Sequence, residues 1–473
     1  MIKQLIFLLA IAFSSITQAK IKNVETYSLN DCISIALKQH YSLKVSDAQI
    51  QMAEALYQQA MSAYYPRLSA KLSADRADED RTFSVKGSFS LPSGLSSTLN
   101  TVQATFNPGA SPISSIPLDM KVKMFDRDVA RASVNLTYPV FTGLKRPAII
   151  GQAKKGVQIA QQGLRKTNLD IVRDVKKYYY AAQFAIEMEQ LANDTLERFK
   201  VLEELTERLY QNGSLKVKKT DYLRTKTTTA LTRSMLNEAE YARELAHEAL
   251  GNAMGQTWDA HYRLADSETP EAITAELQEL IDAAKSFNPE LQQLSLAVQV
   301  AEHRITEARS GYYPMIGVQA SAHKLWNGFD QGLINEDNNE GWNIGVGMEW
   351  DLFSGFETAG KVSHAKAEQR KLKSQRVLLD EAMALQVKQQ FLRIRSSGKQ
   401  IQDTEIAFGF ARDNRKLHVR AYQQEMVETK DVIESQLVES FAKSAYLRSR
   451  YALEMGLTSL EYLIGHNIEH VAY

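Results

Sequence analysis

Ser-Ala-Tyr-Tyr-Pro at residues 62–66 returns almost unchanged as Ser-Gly-Tyr-Tyr-Pro at residues 310–314, 248 positions further along the chain. Identical residues on either side of this stretch keep the same displacement. A second matching pair, residues 136–143 and residues 348–355, lies 212 positions apart. A fixed displacement over separate stretches is the signature of an internal duplication. The sequence therefore predicts one structural unit written twice, with about 36 additional residues between the matched stretches of the first copy.

Alternating apolar and polar side chains follow each Tyr-Tyr-Pro and precede each matched Phe-x-Gly. Such alternation predicts strands with two chemically different faces. Four strands are predicted, at about residues 67–91, 128–141, 315–325 and 341–353. One apolar and one polar face is typical of strands in a membrane-spanning β-barrel, where the apolar face meets lipid. The turn-rich stretch at about residues 91–128 holds the additional residues of the first copy and is predicted to be an exposed loop.

Two long stretches, residues 143–210 and residues 355–422, carry apolar residues at three- and four-residue steps, which is typical of helices. Pro147 is the only proline in either stretch. Each stretch has about 68 residues, or roughly 100 Å if the helix is continuous. The sequence thus predicts two structural repeats, residues 20–270 and residues 271–473. Each repeat is ordered as helix, strand, loop, strand, long helix and helix.

The first 19 residues have the composition of a signal peptide, with a basic start, an apolar run and small residues before a cleavage site after Ala19. The apolar run is much shorter than the roughly 20 residues of a membrane-spanning helix. Lysine plus arginine and aspartate plus glutamate both count 56, so the chain lacks the basic excess of a nucleic-acid-binding protein. The one cysteine, Cys32, cannot form an internal disulfide. We therefore predict an exported protein with no nucleic-acid partner.

Four strands are too few to close a barrel, and an open sheet edge in lipid leaves unpaired backbone groups that cost several kcal/mol each. Other copies of the chain must therefore complete the barrel. A closed barrel needs at least about eight strands, and an aqueous channel needs more, so three copies with about twelve strands are a reasonable minimum. Cyclic assembly follows from this argument, whereas the number three does not.

The chain resembles the TolC family of outer-membrane efflux and type I secretion proteins. The resemblance rests on the duplicated layout, on the two Tyr-Tyr-Pro stretches, on Leu-x-Tyr-Pro-Val-Phe-x-Gly at residues 136–143 and on Tyr-x-x-Gly-Ser at residues 210–214. It implies an α+β membrane protein: a homotrimeric, twelve-stranded β-barrel in the outer membrane, with four strands from each protomer, continued by a long periplasmic α-helical barrel. It also implies a passive conduit without a cofactor. Such a conduit opens when a periplasmic adaptor protein, bound to an inner-membrane pump, docks on its closed tip.

The resemblance also implies that the tip is closed by residues that follow the two long helices. The positions that match the family's gate are Thr220, Asp221, Tyr422, Asp431 and Glu434. Two positions depart from the family pattern. Val427 stands where some members have a gate arginine, and Glu425 stands where a turn glycine is expected. We therefore expect a periplasmic gate whose closing network differs in detail from that of the family.

Two interpretations of Asp431 and Glu434 stay open. Three copies of this pair place six carboxylates around one axis, which favours cation passage, and mutual repulsion raises the pKa of some of the carboxyl groups. Alternatively, both residues lie in the first turns of a helix, where acidic side chains stabilise the helix dipole without any role in gating.

Other candidate sites have less support. Trp342 and Trp350 are eight residues apart and match either the aromatic girdles of a membrane barrel or ordinary aromatic residues of a strand. His466 and His470 share a helix face, but no third metal ligand is evident. His247 and the glutamate after it lack the second histidine of a zinc protease motif. We predict no metal site, no cofactor and no enzyme activity.

Two rival functions remain. A periplasmic coiled-coil scaffold explains the long helices, but it leaves the four alternating strands without lipid to face. An envelope enzyme such as a hydrolase is disfavoured because no triad, metal set or paired-acid cleft emerges. The sequence therefore predicts an exit duct in the outer membrane that extends into the periplasm, and it leaves the cargo open.

Overall fold

A computed structural model describes residues 25–257, 262–265, 275–327 and 339–465. The predicted signal peptide, His466 and His470 lie outside these residues, as do residues 328–338 between the third and fourth predicted strands. The chain splits into two compact units. The first unit comprises residues 1–54, 154–300 and 369–473, and the second unit comprises residues 55–153 and 301–368. Each unit therefore draws residues from both sequence repeats.

The described residues form three sheets. The strands are β1 (Glu25–Tyr27), β2 (Arg67–Arg76), β3 (Arg81–Ser90), β4 (Ser115–Phe125), β5 (Asp128–Thr142), β6 (Tyr262–Leu264), β7 (Met315–Asn327) and β8 (Glu340–Glu349). In the first unit, β1 and β6 form a parallel pair. In the second unit, β3 and β4 form an antiparallel hairpin, while β2, β5, β7 and β8 form an antiparallel sheet in that order.

The four-stranded sheet has the two different faces that the alternation predicts. One cross-strand row joins Leu68, Leu136, Ala320 and Ile344, and the neighbouring row joins Ser69, Asn135, Ser321 and Asn343. Apolar and polar rows alternate because successive side chains of a strand point to opposite faces. Pro139 lies where the pairing of β5 with β7 shifts register, a position where its missing N–H is tolerated. The edge strands β2 and β8 each leave one backbone edge unpaired within the sheet.

The structure corrects the predictions for residues 67–91 and 91–128. The first stretch is two strands, β2 and β3, separated by a turn at residues 77–80, and β3 pairs with β4 rather than with β5. The second stretch holds β4 and a helix, Ser93–Phe106, instead of a loop. Alternation on both sides of the short turn hides the break in the strand. The proline and glycine at residues 92 and 94, which favour a loop, instead mark the start of the helix.

The described residues also form nine α-helices. They are α1 (Leu29–Gln39), α2 (Tyr41–Met61), α3 (Ser93–Phe106), α4 (Lys145–Gln211), α5 (Lys219–Ala253), α6 (Leu277–Phe287), α7 (Pro289–Arg309), α8 (Glu357–Gln423) and α9 (Thr429–Ile464). Local chemistry sets several of their ends. Ser28 and Asp31 form a reciprocal capping box at the start of α1, in which each side chain accepts a hydrogen bond from the backbone N–H of the other residue.

The two long helices, α4 and α8, have 67 residues each, as the helical spacing predicts. Pro147 lies in the first turn of α4, where its missing N–H removes no helical hydrogen bond. Among the residues that the structure describes, no helix has both the length and the apolar character to cross a membrane.

Each sequence repeat builds its own hydrophobic core in the first unit, and the two cores use the same positions. The equivalent pairs are Cys32 and Leu280, Ala36 and Ala284, and Val175 and Val387. All six side chains are fully buried. The first two pairs keep the displacement of 248 positions and the third keeps the displacement of 212 positions. The duplication seen in the sequence is therefore a duplication of packing.

Candidate functional site

The predicted gate residues lie in the helices next to two helix–helix turns of the first unit. We define these turns as the paired turns: residues 212–218 between α4 and α5, and residues 424–428 between α8 and α9. The backbone closes both in the same way. The N–H of Ser214 donates to the carbonyl of Leu209 at 3.0 Å, and the N–H of Met426 donates to the carbonyl of Ala421 at 2.9 Å. Each long helix therefore ends in the same hydrogen-bonded cap.

Gly213 and Glu425 are the left-handed residues of the paired turns, with φ of 73° and 52°. Glycine adopts this conformation without strain, whereas a side chain there crowds the following carbonyl group. Glu425 is held in place by two contacts with the other turn: Ser214 Oγ donates to its carboxylate at 3.3 Å, and Lys216 Nζ donates to its carbonyl. The departure at Glu425 thus keeps the turn and adds strain.

Replacing Glu425 with glycine is expected to raise the free energy of unfolding by about 1 kcal/mol, because the left-handed strain disappears. Chemical denaturation of the purified protein in detergent measures this change. Gln424→Gly is the matched control, since Gln424 has a negative φ and glycine there only loosens the unfolded chain. Equal effects of the two changes contradict the strain argument.

Tyr422 is the buried centre of the paired turns, with 3% of its surface exposed. Its hydroxyl lies 3.0 Å from Thr206 Oγ1 of α4 and 2.9 Å from Thr429 Oγ1 of α9. Its ring belongs to an apolar cluster that also contains Phe199, Leu202, Val432 and Ile433, against which Val427 packs. Tyr422 therefore ties α4, α8 and α9 together within one protomer. Val427 contributes apolar packing at the position where some family members have a charged gate arginine.

The carboxylates of Asp221 and Asp431 cap the helices that follow the paired turns. The backbone N–H of Lys218 donates to Asp221 at 3.0 Å, and the backbone N–H of Glu428 donates to Asp431 at 3.1 Å. Asp221 also lies 3.7 Å from Arg224. Both acids thus stabilise a helix N-terminus. The helix-capping interpretation holds for Asp431 in the single protomer, and the gating interpretation stays a prediction.

Thr220 and Glu434 differ from the other gate candidates because their side chains are exposed. Neither makes a side-chain hydrogen bond or an ion pair with any residue that the structure describes. Asp431 and Glu434 are three residues apart on α9 and share a face of that helix. The structure thus groups Tyr422 with the apolar cluster and leaves Glu434 free to meet another molecule.

The sequence did not reveal a buried charge cluster, formed by Glu439 with Arg198 and Arg415. Only 6% of the Glu439 side chain is exposed, and one carboxylate oxygen, Oε2, accepts from both arginines. Arg198 Nη1 of α4 lies 2.7 Å from that oxygen, and Arg415 Nε of α8 also contacts it. A signal was present, since Val432, Gln436 and Glu439 follow the spacing of the buried face of α9. An acid at such a position requires a cationic partner.

The sequence also did not reveal a second buried acid on α9, Glu454. Its residue surface is 9% exposed, and burial raises the pKa of its carboxyl group from an ordinary 4.5 to about 7. A hydrogen bond from Tyr180 and the charges of Arg450 and Lys176 act in the opposite direction, while Glu461 adds to the increase. This carboxyl group therefore changes its charge near neutral pH.

In the second unit, Trp342 lies on the apolar face of β8, and Trp350 lies just beyond the end of that strand. Trp342 is 78% exposed, and Trp350 is 50% exposed. The indole N–H of Trp350 donates to the carbonyl of Tyr312 at 3.2 Å. An apolar ring with a satisfied polar end suits the boundary between lipid and water. The interfacial role of the two residues stays a prediction.

Among the residues that the structure describes, no three histidine, cysteine, aspartate or glutamate side chains come together to hold a metal ion. His247 instead stacks on Tyr262, with ring centroids 4.0 Å apart. The Tyr262 hydroxyl donates to the carbonyl of His247 at 2.7 Å. His247 is thus engaged in packing between α5 and β6.

The profile of the family described as "Outer membrane efflux protein" matches residues 32–256 and 280–466. The chain belongs to this family. The two matched ranges follow the two sequence repeats, and together they cover most of the chain. The recognition of the family from the duplicated motifs is therefore confirmed. The predicted outer-membrane location is confirmed as well, and the predicted role of an exit channel is confirmed at the level of the family.

Solved structures of outer-membrane channels share the fold of this family member. VceC from Vibrio cholerae has 17% identity and a TM-score of 0.71, with 93% of this chain and 96% of that chain covered. CmeC from Campylobacter jejuni has 14% identity and a TM-score of 0.74, with 92% and 85% covered. These likenesses confirm the fold class predicted from the sequence, in which a β-barrel in the membrane is combined with an α-helical barrel.

A curated relative is the alkaline protease secretion protein AprF of Pseudomonas aeruginosa. It is 25% identical to this family member over 254 residues, which is 51% of this chain and 50% of AprF. The match thus spans about half the length of either protein.

Proposed function

We propose that three copies of this outer membrane efflux protein form the exit duct of a tripartite efflux pump or a type I secretion system. The observation that carries the proposal is the four-stranded sheet, with one apolar face, one polar face and two unpaired edges. Such a sheet is stable in lipid only when other copies pair with both edges. Three copies supply twelve strands, enough for a water-filled lumen lined by the polar face.

The duct itself performs no chemistry, and the energy for transport comes from an inner-membrane partner. The paired turns are the part of the protomer that suits docking of a periplasmic adaptor protein. Leu215 is 100% exposed and Met426 is 71% exposed, so each turn presents an apolar side chain to solvent. Exposed apolar side chains next to charged ones are a common feature of protein-binding surfaces. Docking there acts on the helices that Tyr422 ties together.

One observation favours a protein as the cargo, because the relative AprF is named as an alkaline protease secretion protein. The match covers only half of each chain, so the choice between protein export and small-molecule export depends on experiment. An export assay in cells that lack the gene, with protein and small-molecule cargo measured side by side, separates the two.

Single-channel conductance in a planar bilayer tests the duct. We expect the wild type to give small, cation-selective currents, because the closed tip places Asp431 and Glu434 of three copies around the narrowest passage. Asp431→Ala combined with Glu434→Ala is expected to increase the current and to reduce the cation preference. The matched control is Asp403→Ala combined with Glu405→Ala, which removes two exposed acids of α8. This control is expected to leave the current and the cation preference unchanged.

One outcome of this experiment contradicts the duct, and another contradicts only its gate residues. A protein that fails to insert and stays soluble favours the periplasmic scaffold over the duct. A protein that inserts but conducts equally in the wild type, the double variant and the control rejects Asp431 and Glu434 as gate residues and leaves the duct in place.

A further inference from the structure

The polar face of the four-stranded sheet carries cations in adjacent rows. Among its members are Arg67, Ser69, Lys71 and Ser73 of β2, Arg131, Ser133, Asn135 and Thr137 of β5, Gln319, Ser321 and His323 of β7, and Asn343 of β8, and the same face also carries Asp75 of β2 and Leu325 of β7. In the ladder, Lys71 is opposite Ser133, which is opposite His323. Arg131 is opposite Ser73, two residues along the strand from Lys71.

The charge of this face is one-sided over four neighbouring rows. Between the row of Arg67 and the row of Ser73, the polar face holds Arg67, Lys71, Arg131 and His323 and contains no aspartate or glutamate. None of the three fixed cations forms an ion pair with a carboxylate among the residues that the structure describes. By contrast, Lys324 on the apolar face lies 2.8 Å from its cross-strand partner Glu340. No ion pair therefore neutralises these cations within their own rows, and Asp75 follows on the same face one row beyond Ser73.

We infer that the part of the lumen lined by this sheet attracts anions, so that negatively charged groups of the cargo are favoured in this part of the duct. The inference rests on the proposed function, in which the apolar face meets lipid and the polar face lines water. Three copies repeat Arg67, Lys71 and Arg131 around the axis. Like charges that surround a water-filled passage with low-dielectric walls focus the potential in its centre. Arg67, Lys71 and Arg131 are thus specificity-determining residues of the duct.

The total current does not report this potential, because the acidic tip lies in series with it. A local probe is therefore required. Ser73→Cys places a thiol on the polar face, opposite Arg131 and beside Lys71. The native Cys32 does not compete, because it is fully buried and burial raises the pKa of its thiol to about 12.

The experiment compares two methanethiosulfonate reagents of similar size, the anionic ethylsulfonate and the cationic ethyltrimethylammonium. Both reagents are added to the protein in lipid vesicles. The rate at which each reagent modifies the introduced cysteine is divided by its rate of reaction with a small free thiol in solution. A potential of only one kT makes the anionic reagent react roughly sevenfold faster relative to the cationic one, since their charges differ by two. Lys71→Gln and Arg131→Gln in the Ser73→Cys background are expected to bring this ratio towards one. Salt at 1 M reduces it as well, because the screening length falls to about 3 Å.

Lys121→Gln in the β3–β4 hairpin is the matched control, since it removes one exposed cation outside the polar face. It is expected to leave the ratio unchanged. A thiol that reacts readily, but with a ratio that Lys71→Gln and Arg131→Gln do not alter, overturns the inference and leaves the duct in place. A thiol that neither reagent reaches shows that the polar face does not line water, which overturns the proposed function as well.

Discussion

Replacing Glu439 with glutamine is expected to lower the free energy of unfolding by about 3 kcal/mol, because two partly buried arginines lose their shared counter-charge. Arg198 and Arg415 come from different helices, and their side chains are 27% and 19% exposed. Water therefore compensates only part of the loss, while the amide of glutamine preserves the shape. Removal of one partner from a buried ion cluster costs far more than loss of a surface pair.

Denaturant-induced unfolding of the protein in detergent micelles, followed by circular dichroism, measures this effect. Glu434→Gln is the control on the same helix, because Glu434 is exposed and is expected to leave the unfolding midpoint unchanged. A loss of similar size in both variants attributes the effect to α9 in general rather than to the buried cluster.

The combined replacement of Glu439, Arg198 and Arg415 by methionine separates charge from packing. Apolar side chains of similar length remove all three buried charges, so this variant is expected to recover most of the stability lost in Glu439→Gln. If the triple variant is less stable than Glu439→Gln, the attraction between the three charges exceeds the cost of burying them, and the cluster stabilises the fold.

Repetition made the larger part of this fold predictable from the sequence. The displacement of 248 positions that aligns the Tyr-Tyr-Pro stretches also aligns the cores, where Cys32 and Ala36 correspond to Leu280 and Ala284. Periodicity likewise predicts the two helices of 67 residues and the faces of the four-stranded sheet. These features are local or periodic, and such features are what a single sequence reveals best.

Contacts between distant segments could not be predicted in the same way. Glu439 lies 241 residues from Arg198, and no local pattern connects them. Among the residues that the structure describes, the second copy has no counterpart of the β3–β4 hairpin or of the helix α3 and so offers no template for them. The C-terminal ends of the two long helices were predicted to within one residue, yet only the structure shows that the Tyr422 hydroxyl lies within hydrogen-bond distance of Thr206 and Thr429. Partners that meet only after folding are set by packing.

Glu454 is expected to make the stability of the protein decrease between about pH 4.5 and pH 7. The folded-state pKa of its carboxyl group, about 7, exceeds the ordinary value of 4.5, so the folded chain holds a proton that the unfolded chain releases in this range. The contribution is fully present below pH 4.5 and is lost as the pH rises through 7. Its size is about 3 kcal/mol, from roughly 1.4 kcal/mol for each pKa unit.

Glu454→Gln removes this titration, so the variant is expected to be the more stable protein at pH 8 and to approach the wild type at pH 4.5. The difference between the two unfolding curves, measured at half-unit steps of pH, isolates Glu454 from all other acids of the chain. Glu405→Gln, an exposed acid of α8, is the control and is expected to give a difference that does not change with pH.

A flat difference between Glu454→Gln and the wild type means that Lys176 and Arg450 keep Glu454 ionised in the folded protein, since these are the cations that oppose the effect of burial. A difference that grows with pH places a neutral carboxylic acid, hydrogen-bonded to Tyr180, between α4 and α9 at acidic pH.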